Sequence, residues 1–285
     1  MACVSFFDKP KVNGPEAGCC GDACGYSQKC VLLALMKKTY LISGAGRGIG
    51  RAIAKKLSAD GHRCILAGRT IQNLEETFES LKNHNEHVLI TTDVRDKRSL
   101  KDAADKLDGM KLNGIIANAG VGGENKWGEN DRWHEIIDTN LTGVYNVVNT
   151  FLPNLLGVEG ERHILIMSSV LARMGVRHYQ AYCASKAGLL GLMRALAVQY
   201  ASKKILVNAI CPGWVETDMA EGIIHESSEG LKMDKDAFYE AAMKQVPLRR
   251  MSEPAEIADL VAYLLNQRSI TGQAIDINCG SIMAS

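Results

Sequence analysis

Thr39-Tyr40-Leu41-Ile42-Ser43 runs straight into Gly44-Ala45-Gly46-Arg47-Gly48-Ile49-Gly50, and the reading of this stretch decides the fold. A short apolar run closed by glycines reads as a buried strand. The residues after Gly48 continue as a helix to about residue 60. Glycines between a strand and a helix let the chain turn tightly and let its backbone approach a ligand. The helix start then offers unpaired N–H groups and a partial positive charge to an anion. The spacing is Gly-x-x-x-Gly-x-Gly, not the Gly-x-Gly-x-x-Gly of two-domain dehydrogenases. Glycine-rich turns also join strands to helices for steric reasons alone. The position directly after a first strand is what points to a dinucleotide.

Working outward, strand-like and helix-like segments alternate. Thr39–Ser43, Arg63–Ala67, His87–Thr91, Gly114–Ala117, His163–Met167, Ile205–Ile210 and Ala274–Ile277 read as strands. Segments near 48–60, 70–83, 97–108, 131–152, 180–202 and 254–265 read as helices. This alternation predicts an α/β fold, one Rossmann-like doubly wound parallel sheet of about seven strands with helices on both faces. Continuous apolar strands such as Ile205-Leu206-Val207 suit burial on both sides.

Residues 1–35 differ from the remainder. They are rich in Cys, Gly and Pro and hold five of the nine cysteines: Cys3, Cys19, Cys20, Cys24 and Cys30. They lack Arg and carry Asp8, Glu16 and Asp22, unlike a transit peptide. The expectation is a disordered or non-native leader before a single catalytic domain at 36–285. The leader lacks the Cys-x-x-Cys pairs and histidines of a zinc site, and no metal is expected. Cys64, Cys183, Cys211 and Cys279 are scattered, as in a reducing, cytoplasmic setting. A net charge of +1 gives no sign of nucleic acid, and no apolar run approaches a membrane span.

Charge at the end of the second strand bears on which dinucleotide is bound. An acidic residue there would hold a ribose 2′-hydroxyl. Position 68 is instead Gly, followed by Arg69, and Arg47 lies inside the glycine turn. Two guanidiniums without a carboxylate suit a 2′-phosphate, so NADP(H) is expected over NAD(H); two solvated arginines are the alternative. Asp93, before Val94, could accept from an adenine amino group or cap a turn. Asn118-Ala119-Gly120 leaves room for a flat ring, or Asn118 ties neighbouring strands.

Farther along, Tyr182 and Lys186 lie four residues apart in Tyr-Cys-Ala-Ser-Lys, with Ser169 13 residues before Tyr182. On a helix, residues four apart share a face. A free tyrosine titrates near 10 and a free lysine near 10.4, approximately. A cationic Lys186 and an oxidised nicotinamide nearby are both expected to lower the Tyr182 pKa, making a tuned proton donor. Ser169 can donate to an oxygen on which negative charge develops. Cys183 points about 100° away. His134 and His163 lack metal-ligand partners. His178, between Ser169 and Tyr182, is a candidate substrate contact.

The glycine turn, Asn118-Ala119-Gly120, Asn140 in Asp-Thr-Asn-Leu-Thr-Gly, Ser169, Tyr182-x-x-x-Lys186 and Pro212-Gly213 occur in the order of the short-chain dehydrogenases/reductases. The chain resembles that family over about 38–280. The match includes Trp214-Val215-Glu216-Thr217-Asp218 and Ile270-Thr271-Gly272-Gln273. Ser43 stands where Thr is commoner. The resemblance implies Asn140, Ser169, Tyr182 and Lys186 as catalytic residues, Asn140 by ordering a water beside the lysine; a helix-kinking core amide is the alternative for Asn140. It implies dinucleotide contacts from Ser43, Gly44, Arg47, Gly48, Ile49 and Gly50 in the turn, then Arg69, Asp93 and Val94. Asn118, Ala119, Gly120, Tyr182, Lys186, Pro212, Gly213, Val215 and Thr217 complete that set.

From about 218 to 246 the text is amphipathic and reads as a helical lid over substrate. The last stretch resembles ketoreductases of fatty-acyl or polyketide chains. The first expectation is an NADPH-dependent reductase of a 3-oxoacyl thioester, on coenzyme A or an acyl carrier protein. Lys203-Lys204 could meet an acidic carrier, or simply be solvated; Gly160-Glu161-Arg162-His163 dilutes a second basic cluster. The alternatives are a dehydrogenase of a sugar, polyol, steroid or other secondary alcohol, and a non-catalytic dinucleotide sensor. Val147, Val148, Leu189, Leu190, Leu192 and Met193 exceed what one helix face needs, and the family's habit of pairing such helices implies a homodimer or homotetramer.

Overall fold

In the computed structural model, which describes residues 37–283, seven strands form one parallel sheet. The leader expected at 1–35 lies outside the described residues. The strands are β1 (Thr39–Ser43), β2 (Arg63–Gly68), β3 (Val88–Thr91), β4 (Gly114–Ala117), β5 (Arg162–Met167), β6 (Ile205–Pro212) and β7 (Ala274–Ile277). Their order is β3-β2-β1-β4-β5-β6-β7. The chain builds outward from β1 to β3, then returns to add β4 on the other side of β1. Such a reversal opens a crevice at the carboxyl ends of β1 and β4, where α/β sheets bind ligands.

Successive side chains of a strand face opposite sides, so each strand feeds two cores. On one side, Leu41, Ile115, Ile164 and Val207 pack under α3 (Lys97–Asp105), α5 (Gly143–Leu156) and α6 (Gln180–Tyr200), which bury Leu100, Phe151 and Leu189. On the other, Tyr40, Ile42, Leu66, Ile116 and Leu165 pack under α1 (Gly48–Ala59), α2 (Ile71–Glu79) and α9 (Pro254–Leu264). Every residue of β4, β5 and β6 is buried, which is why apolar residues fill them without alternation, Arg162, His163 and Asn208 apart.

Several expected boundaries move. β6 continues to Pro212, and β3 begins at Val88 rather than His87. The His87 ring is instead spent locally, its Nδ1 accepting from Cys64 N at 2.9 Å. α2 stops at Glu79, short of 83, where Ser80 turns its hydroxyl back to Thr77 O at 2.6 Å. The segment expected as one helix over 131–152 is interrupted. It forms α4 (Trp133–Ile137), a π turn at Asp138–Thr142, and then α5. The π turn brings Asn140 inward, where its side chain accepts from Val121 N at 2.8 Å and donates to Val121 O at 2.9 Å.

The segment expected as a lid folds as α7 (Asp218–Leu231) and α8 (Lys235–Met243) around its own small core of Ala220, Ile224, Met243, Val246 and Met251. Thr217 caps α7 and Asp234 caps α8 through side-chain oxygens. The apolar residues offered for assembly need a correction. Val147, Val148, Leu189, Leu190 and Met193 are buried in the chain's own core, so sheet coverage accounts for them. Among the described residues, no helix is long and apolar enough to cross a membrane.

His163 on β5 is a core residue, 4% exposed, and its Nδ1 has no hydrogen-bond partner. Burial lowers its pKa from 6.5 to about 4, with Lys38 adding to the effect. The native state therefore keeps the ring neutral to about pH 4, while the unfolded chain takes up a proton from about 6.5 downward. The unfolded state binds more protons in this window, so stability falls as pH drops through it. Urea unfolding at pH 7 and pH 4 is expected to show His163→Leu losing less stability than the wild type, by as much as ~3 kcal/mol. Equal losses would contradict a neutral buried ring.

Candidate active site

The cleft starts at the glycine turn. Gly44 has φ +68°, and a Cβ there would lie 2.8 Å from Ala119 Cα. A Cβ on Gly50 would lie 2.1 Å from the Gly44 carbonyl oxygen. Glycine at these positions lets α1 press onto the turn and the turn onto β4. Arg47 precedes α1 without a side-chain cap, so the first N–H groups of the helix stay open to an anion. These features fit a dinucleotide pyrophosphate.

From this turn a cleft of about 980 Å³ runs along the carboxyl edge of the sheet. Gly44, Arg47, Gly48, Ile49 and Arg69 line one end. Asp93, Val94, Asn118, Ala119 and Gly120 line the middle. Ser169, Tyr182, Lys186, Pro212, Gly213, Val215 and Thr217 line the far end, beneath α7 and α8. His178 also borders this end, with φ +65° and its carbonyl accepting from Asn125 N at 2.8 Å.

Three expected contacts are not on the cleft wall. Ser43 is buried, and its Oγ accepts the N–H groups of Asn118 at 3.0 Å and Ala119 at 3.1 Å. Gly50 lies behind the turn, for the steric reason just given. Asn140 is fully buried and reaches Val121 and Ser185 rather than the cleft. Asn118 donates its side-chain amide to Ser43 O and Gly44 O, so it ties β1 to β4 while one edge faces the cleft. The Asp93 carboxylate accepts from Arg95 N at 2.9 Å and pairs with the Arg95 guanidinium, which holds it below the usual carboxylate range. It caps a turn, one of its two readings, and also lines the cleft.

Ser169, Tyr182 and Lys186 converge although 17 residues separate the first from the last. β5 delivers Ser169 at its end, and α6 presents Tyr182 and Lys186 one turn apart. Ser169 Oγ accepts from Leu171 N at 3.1 Å, which fixes the side chain and leaves its hydrogen to donate. Lys186 is 5% exposed, donates Nζ to Met167 O at 2.9 Å, and stands 5.5 Å from the Tyr182 ring centre. A Cβ on Gly120 would lie 3.6 Å from that Nζ and 3.2 Å from Asn140 Oδ1. Glycine at 120 thus leaves room for the Asn140 amide behind the lysine.

The protein's own groups shift Tyr182 in the direction opposite to the one expected with the nicotinamide in place. Burial pushes the Tyr182 phenol above its ordinary value, and the hydrogen bond with Ser169 opposes this only in part. Burial also lowers Lys186 to about 8. For Tyr182 desolvation outweighs the Ser169 hydroxyl, so neutral phenol is favoured over phenolate. A neutral phenol is the form that can give a proton to an oxygen.

Several cleft residues were absent from the expected set: Gly46, Asn73, Tyr179, Met219, Ile223 and Phe238. Tyr179 had a local signal, since it precedes Tyr182 by one helical turn. Met219, Ile223 and Phe238 had none beyond general amphipathicity, because the packing of α7 and α8 sets which face meets the cleft.

Residues 44–281 match the family described as Enoyl-(Acyl carrier protein) reductase. Oxidoreductase UcpA of Salmonella typhimurium is 36% identical over 260 residues, covering 87% of this chain and 96% of the relative. The 3-oxoacyl-[acyl-carrier-protein] reductase FabG of Staphylococcus aureus is 31% identical over 259 residues, covering 87% and 99%. Among solved structures, a variant of the actinorhodin polyketide ketoreductase crystallised with NADPH superposes with a TM-score of 0.80 at 31% identity, covering 86% of this chain and 97% of that one. With its parallel sheet, its glycine turn and its Ser169, Tyr182 and Lys186 at one end of the cleft, the chain belongs to the short-chain dehydrogenase/reductase family of nicotinamide-dependent oxidoreductases.

Proposed function

We propose that the protein is an NADPH-dependent carbonyl reductase acting on a 3-oxoacyl thioester or polyketide-type substrate, with Tyr182 as proton donor. The carrying observation is the convergence of Ser169, Tyr182 and Lys186 on the cleft wall, with the Lys186 Nζ 5.5 Å from the Tyr182 ring centre. When bound, the nicotinamide supplies the hydride. Ser169 donates to the substrate oxygen and holds it against Tyr182, and the phenol hydrogen passes to that oxygen as charge gathers there. Lys186, held by Met167 O, takes the developing phenolate as its partner. Asn140 is a positioning residue, fixing the Val121 backbone behind Gly120 and Lys186.

Arg47 and Arg69 are both exposed on the cleft and would meet the 2′-phosphate, with Gly48, Ile49 and the helix start on the pyrophosphate. Position 68 is glycine, and a Cβ there would touch Leu74, so no carboxylate projects from this strand end. The apolar Met219, Ile223 and Phe238 facing the reactive end favour an acyl or polyketide chain over a polyhydroxylated sugar. FabG and the actinorhodin enzyme support the same choice by similarity. The thioester would be carried by coenzyme A or an acyl carrier protein. Four free thiols among the described residues suit the cytoplasm. Tyr145 and Val198, 50% and 82% exposed on α5 and α6, would be covered in a homodimer or homotetramer.

Tyr182→Phe is expected to lower turnover of a 3-oxoacyl thioester at least ~10³-fold, while dinucleotide binding, followed by nicotinamide fluorescence, stays within about twofold. Retained turnover would remove Tyr182 as the donor. Arg69→Asp is expected to reduce the NADPH-over-NADH ratio of kcat/KM by about ten- to a hundredfold, the worth of a charge-assisted hydrogen bond. An unchanged ratio would remove Arg69 from phosphate recognition. Light scattering of the purified chain is expected to give the mass of two or four copies, and a stable active monomer would refute the assembly.

A further inference from the structure

We propose that Asn125 is a positioning residue for the reaction: it fixes the first turn of α6 and so sets where the Tyr182 phenol stands. This rests on the carbonyl-reductase reading, in which Tyr182 gives the proton. Asn125 lies in the loop between β4 and α4 and is 1% exposed. It stands behind the cleft wall, between Glu124 and Lys126, which both line the cleft. Its groups tie three segments together. Oδ1 accepts from Ala181 N at 2.9 Å, Nδ2 donates to Asp131 Oδ1 at 3.2 Å, and the backbone N–H donates to His178 O at 2.8 Å. Asp131 Oδ1 also accepts from Trp133 N at 3.0 Å, at the start of α4.

The start of a helix leaves its first N–H groups without intrahelical partners. Tyr179, the residue before α6, gives no side-chain cap. Asn125 supplies an acceptor from a segment 56 residues away, and it reaches the residue immediately before Tyr182. On the other side of Tyr182, Ser168 Oγ donates to Lys186 O at 2.9 Å, and Lys186 Nζ donates to Met167 O at 2.9 Å. Tyr182 therefore stands on a stretch of helix pinned at Ala181 by Asn125 and at Lys186 by the end of β5. The chain enters this stretch through His178 at φ +65°, a left-handed conformation that costs a non-glycine residue about 1–2 kcal/mol. The bond from Asn125 N to His178 O holds that turn. An asparagine that only filled the core would have no bearing on the chemistry. These anchors bracket the proton donor, and a displacement of about 1 Å at a reacting group costs as much as ~10²-fold in rate.

Asn125→Ala removes the side-chain acceptor and donor and leaves the backbone bond to His178. With acetoacetyl-coenzyme A and saturating NADPH, kcat is expected to fall about 10- to 100-fold, while KM and the NADPH dissociation constant stay within about twofold. Asn125→Asp keeps an acceptor for Ala181 N but sets a carboxylate against Asp131, so it is expected to be slowed too. Adding Asp131→Asn to Asn125→Asp exchanges the two roles, since the carboxylate then accepts from Ala181 N and from the amide at position 131. This exchanged pair is expected to recover at least about half of the logarithmic loss in kcat of Asn125→Asp alone. Thermal unfolding checks that the variants compared are folded, and the exchanged pair carries the test if Asn125→Ala does not fold. An unchanged kcat in Asn125→Ala, a loss confined to NADPH binding, or a folded exchanged pair as slow as Asn125→Asp alone would overturn the positioning role while leaving the reductase reading in place. Wild-type silence on acetoacetyl-coenzyme A and on a longer 3-oxoacyl thioester would overturn the parent reading and this one together.

Discussion

The buried Ser43 hydroxyl, accepting from the N–H groups of Asn118 and Ala119, is the clasp on which the site depends. It joins β1 to β4 where the chain reverses its direction of growth across the sheet. Asn118 completes the clasp by donating back to Ser43 O and Gly44 O. At this point strand pairing ends and the crevice opens, so backbone groups would otherwise lose their partners. A buried N–H left without an acceptor costs about 1–3 kcal/mol, enough to explain why polar side chains are spent here on structure. The glycine turn is then held at a fixed height above Ala119 and Gly120, with Lys186 immediately beyond.

Desolvation is the second theme. It raises the Tyr182 phenol above its ordinary value, draws Lys186 down to about 8 and holds His163 neutral to about pH 4. The same physical effect serves different ends at these places. On β5 it is a cost of packing, met by leaving the imidazole uncharged. At the end of the cleft it selects the donor form of a phenol, with Ser169 and Lys186 ready to receive negative charge when it arrives.

Substrate choice belongs to a separate layer. α7 and α8 pack on their own small core and join the sheet through the strand ends at Pro212–Thr217 and Val246–Ser252. Chemistry and recognition can therefore vary independently. Apolar residues of the lid offer area without direction.

The sequence by itself determined the alternation of strands and helices, the parallel sheet and the convergence of Ser169, Tyr182 and Lys186. These follow from local spacing and from apolar runs that tolerate no other environment. The tertiary structure alone decided that Ser43, Gly50 and Asn140 support the cleft from behind rather than lining it. It also decided the break of the 131–152 helix at the π turn, and the burial of Val147, Leu189 and Met193 within one chain. The direction of the Tyr182 shift belongs here too. Residue spacing reveals which charge stands nearby, but the extent to which water is excluded depends on every element packed around the group, and in this site exclusion of water is the larger effect.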